Sequence, residues 1–217
     1  MQSYDTRYCG IMTAILGRIA EGGNAESGPH VLHISRLTAL LLRKLIGEER
    51  ALISEGYIAL IASAAALHDI GKVDVPSEIL NKPGSLDEEE RKIMQTHTSS
   101  GAAILDGLPG CGSEPFVRCA RDICLWHHER WDGGGYPHGL RGDDIPLSAQ
   151  IVSVVDVYDA LTSQRCYKAA IPHGQAMDML LSGECGAFNP FLLESFAALD
   201  GELRTALEEA DAGSGGE

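Results

Sequence analysis

Residues 57–72 read YIALIASAAALHDIGK. From Tyr57 to Leu67 almost every side chain is apolar, which predicts a helix buried on all sides. His68 and Asp69 stand at its C-terminal end. Taken alone, a His-Asp pair is more often a surface or capping pair than a ligand set. At the end of a buried helix, though, two ionisable groups are costly unless they are paired or bound to a metal. Gly71 then permits a sharp turn.

Helical periodicity dominates on both sides of this stretch. Upstream, Val31, Ile34, Leu37, Leu41 and Leu45 recur at steps of three and four, one apolar stripe of a helix that starts near the Gly28-Pro29 break. Downstream, Pro76, Pro83 and Gly84 make residues 73–85 a loop with a short helical turn. Ser85 stands three residues before Glu88, a capping-box spacing, and the helix after it carries His97. Further helices are expected over about 114–128, 148–163, 173–182 and 190–209. Residues 129–147 contain five glycines and two prolines, too many breakers for a regular element, and a loop of that length in a compact domain is usually functional. The expected architecture is all-α: a lead-in or linker over residues 1–25, one domain over 26–209 and a disordered tail over 210–217.

The chain has 217 residues, with 31 acidic against 17 basic and a formal charge of −14. Such a field repels polynucleotides and anionic membranes. A small phosphate ligand is compatible with it, because divalent ions reverse the potential inside a pocket. The six cysteines, at 9, 111, 119, 124, 166 and 185, form no CxxC pair, so buried reduced thiols are expected. No apolar run approaches the ~20 residues of a membrane span, and no signal-peptide pattern opens the chain, which points to a cytoplasmic location.

Five stations fall at the ends or faces of the expected helices: Glu26 with His30, His68 with Asp69, His97, His127 with His128, and Asp156. All are residue types that bind divalent metals. The gaps from Asp69 to His97, from His97 to His127 and from His128 to Asp156 are each close to thirty residues, which suits one station per helix converging in a bundle. Adjacent His127 and His128 cannot point the same way along a regular helix and fit a frayed end straddling one ion. Asp156 and Asp159 lie in a very apolar helix; Asp156 reads as the ligand and Asp159 as a supporting or capping group. His33, His138 and His173 read as ordinary structural histidines, His33 least securely, since it lies one turn from His30.

The ordered set resembles the HD-GYP domain, a branch of the HD phosphohydrolases. The resemblance covers about residues 25–205 and rests on His68-Asp69-Ile70-Gly71-Lys72, on His97 with Gly101 following, on the run from His127 to Pro137 that contains Gly135-Tyr136-Pro137, and on the run from Asp156 to Thr162. It implies a helical bundle with a centre of two or three divalent ions, iron first and manganese second, between the helices. The implied activity is hydrolysis of cyclic di-GMP to linear pGpG and, in some members, GMP. His68, Asp69, His97, His127, His128 and Asp156 match the core ligands, with Asp69 bridging two ions. Glu26 and His30 match the extra ligands of a three-metal subgroup. Pro29, between them, departs from the usual pattern.

Two metals about 3.5 to 4 Å apart neutralise a phosphodiester and activate the attacking water. Lys72, close to the ligand pair, is expected to bind phosphate or the leaving oxygen. Arg165 and Lys168 are the expected grip on the phosphates. Gly135 is expected to let backbone approach a ligand, and Tyr136 to hydrogen-bond or stack on guanine. The partners to expect are a diguanylate cyclase or another signalling protein, or a second copy of the chain. The competing readings are an HD hydrolase of another nucleotide, such as 3′3′-cyclic GMP-AMP, (p)ppGpp or a dNTP, and a non-catalytic metal-binding signalling module.

Overall fold

The structure, a computed structural model, describes residues 27–48, 54–163 and 170–214. Among them there is no strand. The helices are α1 (Ser27–Gly47), α2 (Glu55–Ala65), α3 (Ser77–Leu80), α4 (Glu88–Gln95), α5 (His97–Asp106), α6 (Pro115–Trp126), α7 (Leu147–Thr162), α8 (His173–Ser182), α9 (Pro190–Ala197) and α10 (Asp200–Ser214), with 3-10 turns at Ile70–Asp74 and Gly142–Asp144. None is long and apolar enough to cross a membrane.

The apolar stripe of α1 is the spine of the core. Val31, Ile34, Leu37, Leu41 and Leu45 are all buried, with Leu42 beside them. Each such side chain removed from water contributes roughly 1.5–3 kcal/mol. The stripe packs on α2 and α7, and α9 and α10 close over it. On the other side of α2, the helices α5 and α6 pack tightly on each other. Pro29 lies in the first turn of α1, where no backbone N–H is required, so the helix admits it.

Several boundaries differ from the sequence expectation. Helix α2 ends at Ala65 rather than Leu67, because the chain tightens to i→i+3 bonding: Leu67 donates to Ala64 at 3.0 Å, His68 to Ala65 at 3.1 Å and Ile70 to Leu67 at 3.0 Å. His68 and Asp69 therefore sit on a tight turn rather than on the helix. The capping box is not at Ser85 and Glu88 but two residues on. Asp87 accepts from the Glu90 N–H at 2.9 Å, and the Asp87 N–H donates to Glu90 Oε2 at 2.8 Å.

His97 does not lie within the capped helix but opens the next one, after a break at Thr96 whose hydroxyl donates to the Ile93 carbonyl. The segment expected as one helix over 190–209 breaks at Ala198 and Leu199, and Leu199 is buried. The last helix continues to Ser214, into the segment expected as a tail, where Glu and Ala residues favour helix.

Candidate metal centre

Each of three buried histidines is held by its own turn. His68 Nδ1 donates to the Ala65 carbonyl at 2.9 Å, His97 Nδ1 to Met94 at 2.7 Å and His127 Nδ1 to Ile123 at 2.9 Å. A neutral ring that donates through Nδ1 presents Nε2 as a lone pair. All three Nε2 atoms are buried and lack a hydrogen-bond partner. Buried polar atoms are rarely left so. A divalent ion is the partner that this donor set fits, since imidazole nitrogen with an oriented opposite edge is the usual ligand arrangement.

Asp69 stands between these rings. Its Oδ1 is 3.3 Å from His97 Nε2 and 3.9 Å from His127 Nε2, while Oδ2 is 3.2 Å from His68 Nε2 and 2.5 Å from Lys72 Nζ. Two sets of ligand atoms are close enough to hold an ion: Asp69, His97, His127 and His128; and His30, His68 and Asp69. Asp69 belongs to both, with one oxygen toward each. Asp156 belongs to neither set, yet its Oδ1 lies 3.7 Å from His68 Nε2 and 4.0 Å from His30 Nε2, on the rim of the second.

Two glycines bring these parts together. A Cβ added at Gly71 would lie 1.9 Å from the His97 carbonyl oxygen and 2.4 Å from the Gly101 nitrogen. The 3-10 turn after Asp69 thus nests directly on the first turn of α5, and no side chain fits between them.

Electrostatics divides the histidines. Burial lowers the pKa of His97, of His127 to about 3, and of His128. These rings are neutral at pH 7 and available as ligands. Burial also opposes the charge on His68, but Asp69 and Asp156 outweigh it and raise its pKa well above the usual value. Burial would raise the Asp69 carboxyl; Lys72 and His68 hold it well below the normal range. Asp156 is held low against burial by His68.

Behind His30 lies Asp159, fully buried, one turn after Asp156 on α7. Its Oδ2 accepts from His30 Nδ1 at 2.5 Å, and its Oδ1 accepts from His33 Nδ1. His33, expected as an ordinary structural histidine, is thus joined to this group; only its spacing from His30 hinted at that. His138 and His173 do have ordinary partners. Trp126 Nε1 donates to His138 Nδ1, and His173 lies between the Tyr158 hydroxyl and Asp200.

The loop over 129–147 is organised by a residue that sequence reasoning did not single out. Glu129 is buried and accepts the backbone N–H of His138 at 2.8 Å and of Leu140 at 3.0 Å. Gly135 permits a close approach, but to the chain's own backbone: a Cβ there would lie 2.4 Å from Glu129 Cα and 2.5 Å from the His128 carbonyl oxygen. Tyr136 stacks on the His128 ring, with centroids 4.7 Å apart, so one face of its ring is already covered. Glu26, Arg165 and Lys168 lie outside the described residues.

The chain is similar to known proteins over most of its length. The family model described as HD domain matches residues 30–187. A Vibrio cholerae protein named cyclic di-GMP phosphodiesterase is 38% identical over 188 residues, 85% of this chain and 38% of that protein. A Thermotoga maritima protein of the same name is 38% identical over 189 residues, 87% of this chain and 49% of its own. A Vibrio cholerae 3′3′-cGAMP-specific phosphodiesterase is also 38% identical, over 82% of this chain and 32% of its own. The chain thus spans less than half the length of these relatives. The solved structure of an HDG"Y"P protein from Bdellovibrio bacteriovorus superposes with a TM-score of 0.64 at 21% identity, over 92% of this chain and 64% of that one.

Proposed function

Since this chain belongs to the HD domain family, we propose that it is a metal-dependent phosphodiesterase that hydrolyses a cyclic dinucleotide, cyclic di-GMP first, to linear pGpG. The observation that carries the chemistry is Asp69 shared between two ligand sets, with buried and unpartnered Nε2 atoms on both sides. The substrate class is supported by relatives at 38% identity that are named for cyclic di-GMP.

In this reading one ion is held by Asp69, His97, His127 and His128 and a second by His30, His68, Asp69 and Asp156, with iron first and manganese second as the metal. Such ions supply positive charge to the scissile phosphate and the attacking water. The chain's own residues do the rest. The Nδ1–carbonyl bonds keep each imidazole lone pair aimed inward, so little reorganisation is needed when ligands bind.

Lys72 brings an ammonium to the rim beside Asp69, where it meets a phosphate oxygen. Burial pushes the Tyr136 phenol well above its ordinary pKa, so at neutral pH it is an O–H donor at the mouth of the centre. Gly135 sets the position of that tyrosine. Arg165 and Lys168 are assigned to the phosphates, and Glu26, four residues before His30, to a third ion. A cytoplasmic location, with a diguanylate cyclase, another signalling protein or a second copy of the chain as partner, belongs to the same reading.

A second substrate has a specific observation behind it, since a 3′3′-cGAMP-specific relative is as similar as those named for cyclic di-GMP. The test is anaerobic loading with iron or manganese, followed by chromatography of products from cyclic di-GMP, 3′3′-cGAMP, ppGpp and a dNTP. Linear pGpG as the fastest product is expected. Cleavage of ppGpp or the dNTP alone would overturn the substrate class, and ions bound without cleavage of any of the four would favour a signalling module.

A further inference from the structure

The two carboxylates of α7 are placed for different work. Asp156 turns toward His68 and His30 at the rim of the second ligand set. Asp159 is fully buried, belongs to neither set and uses both oxygens on histidines of α1: Oδ2 on His30 Nδ1 and Oδ1 on His33 Nδ1. A carboxylate can only accept, so both Nδ1 atoms carry protons, and each ring in its neutral form presents Nε2 as the lone pair. His30 belongs to the second set, and with Nδ1 held by Asp159 its Nε2 is the nitrogen that faces Asp156, 4.0 Å from Oδ1. His33 is buried, and its own Nε2 has no partner.

We propose that Asp159 and His33 are a positioning pair for His30: Asp159 fixes the tautomer and orientation of the His30 ring, and His33 locks Asp159 by occupying its other oxygen. The inference rests on the metal centre proposed above and not on its substrate. A carboxylate behind a ligand histidine raises the basicity of the ring and holds it in place, and losing it typically costs about 10–100-fold in metal affinity. His33 adds what a lone carboxylate lacks. With one oxygen engaged on His33, the Asp159 side chain cannot turn away from His30 without breaking a second buried bond. A purely structural clamp between α1 and α7 would tolerate any replacement that keeps the helices together; a positioning pair requires donor and acceptor in the right places.

The experiment is manganese titration of the anaerobically purified full chain, with metal per chain from elemental analysis. It compares wild type with Asp159→Ala, His33→Leu and His33→Asn, and uses His97→Ala as a control in the other ligand set. Asp159→Ala is expected to weaken one ion by about 10–100-fold and leave the other at wild-type affinity. His33→Leu should weaken the same ion. His33→Asn, whose side-chain N–H replaces Nδ1–H, should restore it.

Nitrogen-15 spectra of the metal-free protein give a readout independent of ions: His30 protonated on Nδ1 in wild type, a mixture of tautomers in His33→Leu. Wild-type affinity for every ion in folded Asp159→Ala, equal binding by His33→Leu and His33→Asn, or a mixed His30 tautomer in wild type would each overturn the proposal. A wild-type chain that binds no ion would overturn both this and the metal centre. If the expected binding pattern appears but no cyclic dinucleotide is cleaved, the substrate reading fails while the positioning pair holds.

Discussion

Asp69 Oδ1 lies 3.3 Å from His97 Nε2, although the two residues come from separate elements, a 3-10 turn and the opening of a helix. Nothing covalent enforces that approach. It follows from backbone packed on backbone at Gly71 and Gly101, which lets one carboxylate face His97 and His127 with one oxygen and His68 with the other.

Gly71→Ala should therefore damage both the fold and the centre. The added methyl would meet the His97 carbonyl and the Gly101 nitrogen, which are backbone atoms and cannot swing aside. Overpacking of this kind costs about 1–3 kcal/mol. Urea unfolding should show that loss, and metal content should drop with it; an unchanged midpoint would mean that the turn and α5 are less tightly nested than described.

Asp69→Ala removes the group common to both ligand sets, so it should release ions from both and bring phosphodiesterase activity to the level of the metal-free protein. His97→Ala, which touches one set, should release fewer. Elemental analysis alongside product chromatography checks this. Full activity of Asp69→Ala with metal still bound would sink the assignment.

Glu129→Gln keeps the shape of the side chain but places an NH2 against one of two buried N–H groups. Leaving one donor unmet costs about 1–3 kcal/mol. Amide exchange at His138 or Leu140 should accelerate, while metal content stays at the wild-type ratio, because Glu129 holds the loop and is not one of the grouped ligands. Unchanged exchange at both amides would show that the carboxylate does not hold the loop.

These cases show where the sequence was informative. The stations at His68-Asp69, His127-His128 and Asp156 stood out because ionisable groups in apolar runs need a partner, and His97 by its spacing of close to thirty residues from its neighbours. The α1 stripe was legible from its period. What escaped was every relation fixed by distant partners. His33 gains its meaning from Asp159, 126 residues away. Glu129 acts on N–H groups whose position depends on how the loop folds back. Gly135 and Tyr136 were read toward a ligand, but the structure turns Gly135 onto Glu129 and one face of Tyr136 onto His128. The Ser85 cap failed because an equally good Asp-x-x-Glu pattern follows two residues later.

The stability of the metal-free protein should peak near neutral pH. His97, His127 and His128 have lowered pKa values in the folded state, that of His127 near 3, so below about 6.5 the unfolded chain binds more protons and stability falls as pH falls. His68 has the opposite sign. Its raised pKa contributes stability below about 6.5, and that contribution is lost as pH rises through the folded value. Asp69 and Asp156, both lowered, add a further loss only as pH falls below about 4. Urea unfolding from pH 4 to 8 should trace this curve, and stability that rises on acidification from neutral pH to 5 would contradict it.

The central claim is that Asp69 joins two ion positions into one centre. Electron paramagnetic resonance of the protein loaded with two manganese ions per chain tests it most directly, because ions sharing a carboxylate interact magnetically and separate ions do not. The account predicts an exchange-coupled spectrum in the wild type and none in Asp69→Ala, which no longer holds the pair of ions. Two isolated six-line signals in the fully loaded wild type would contradict it.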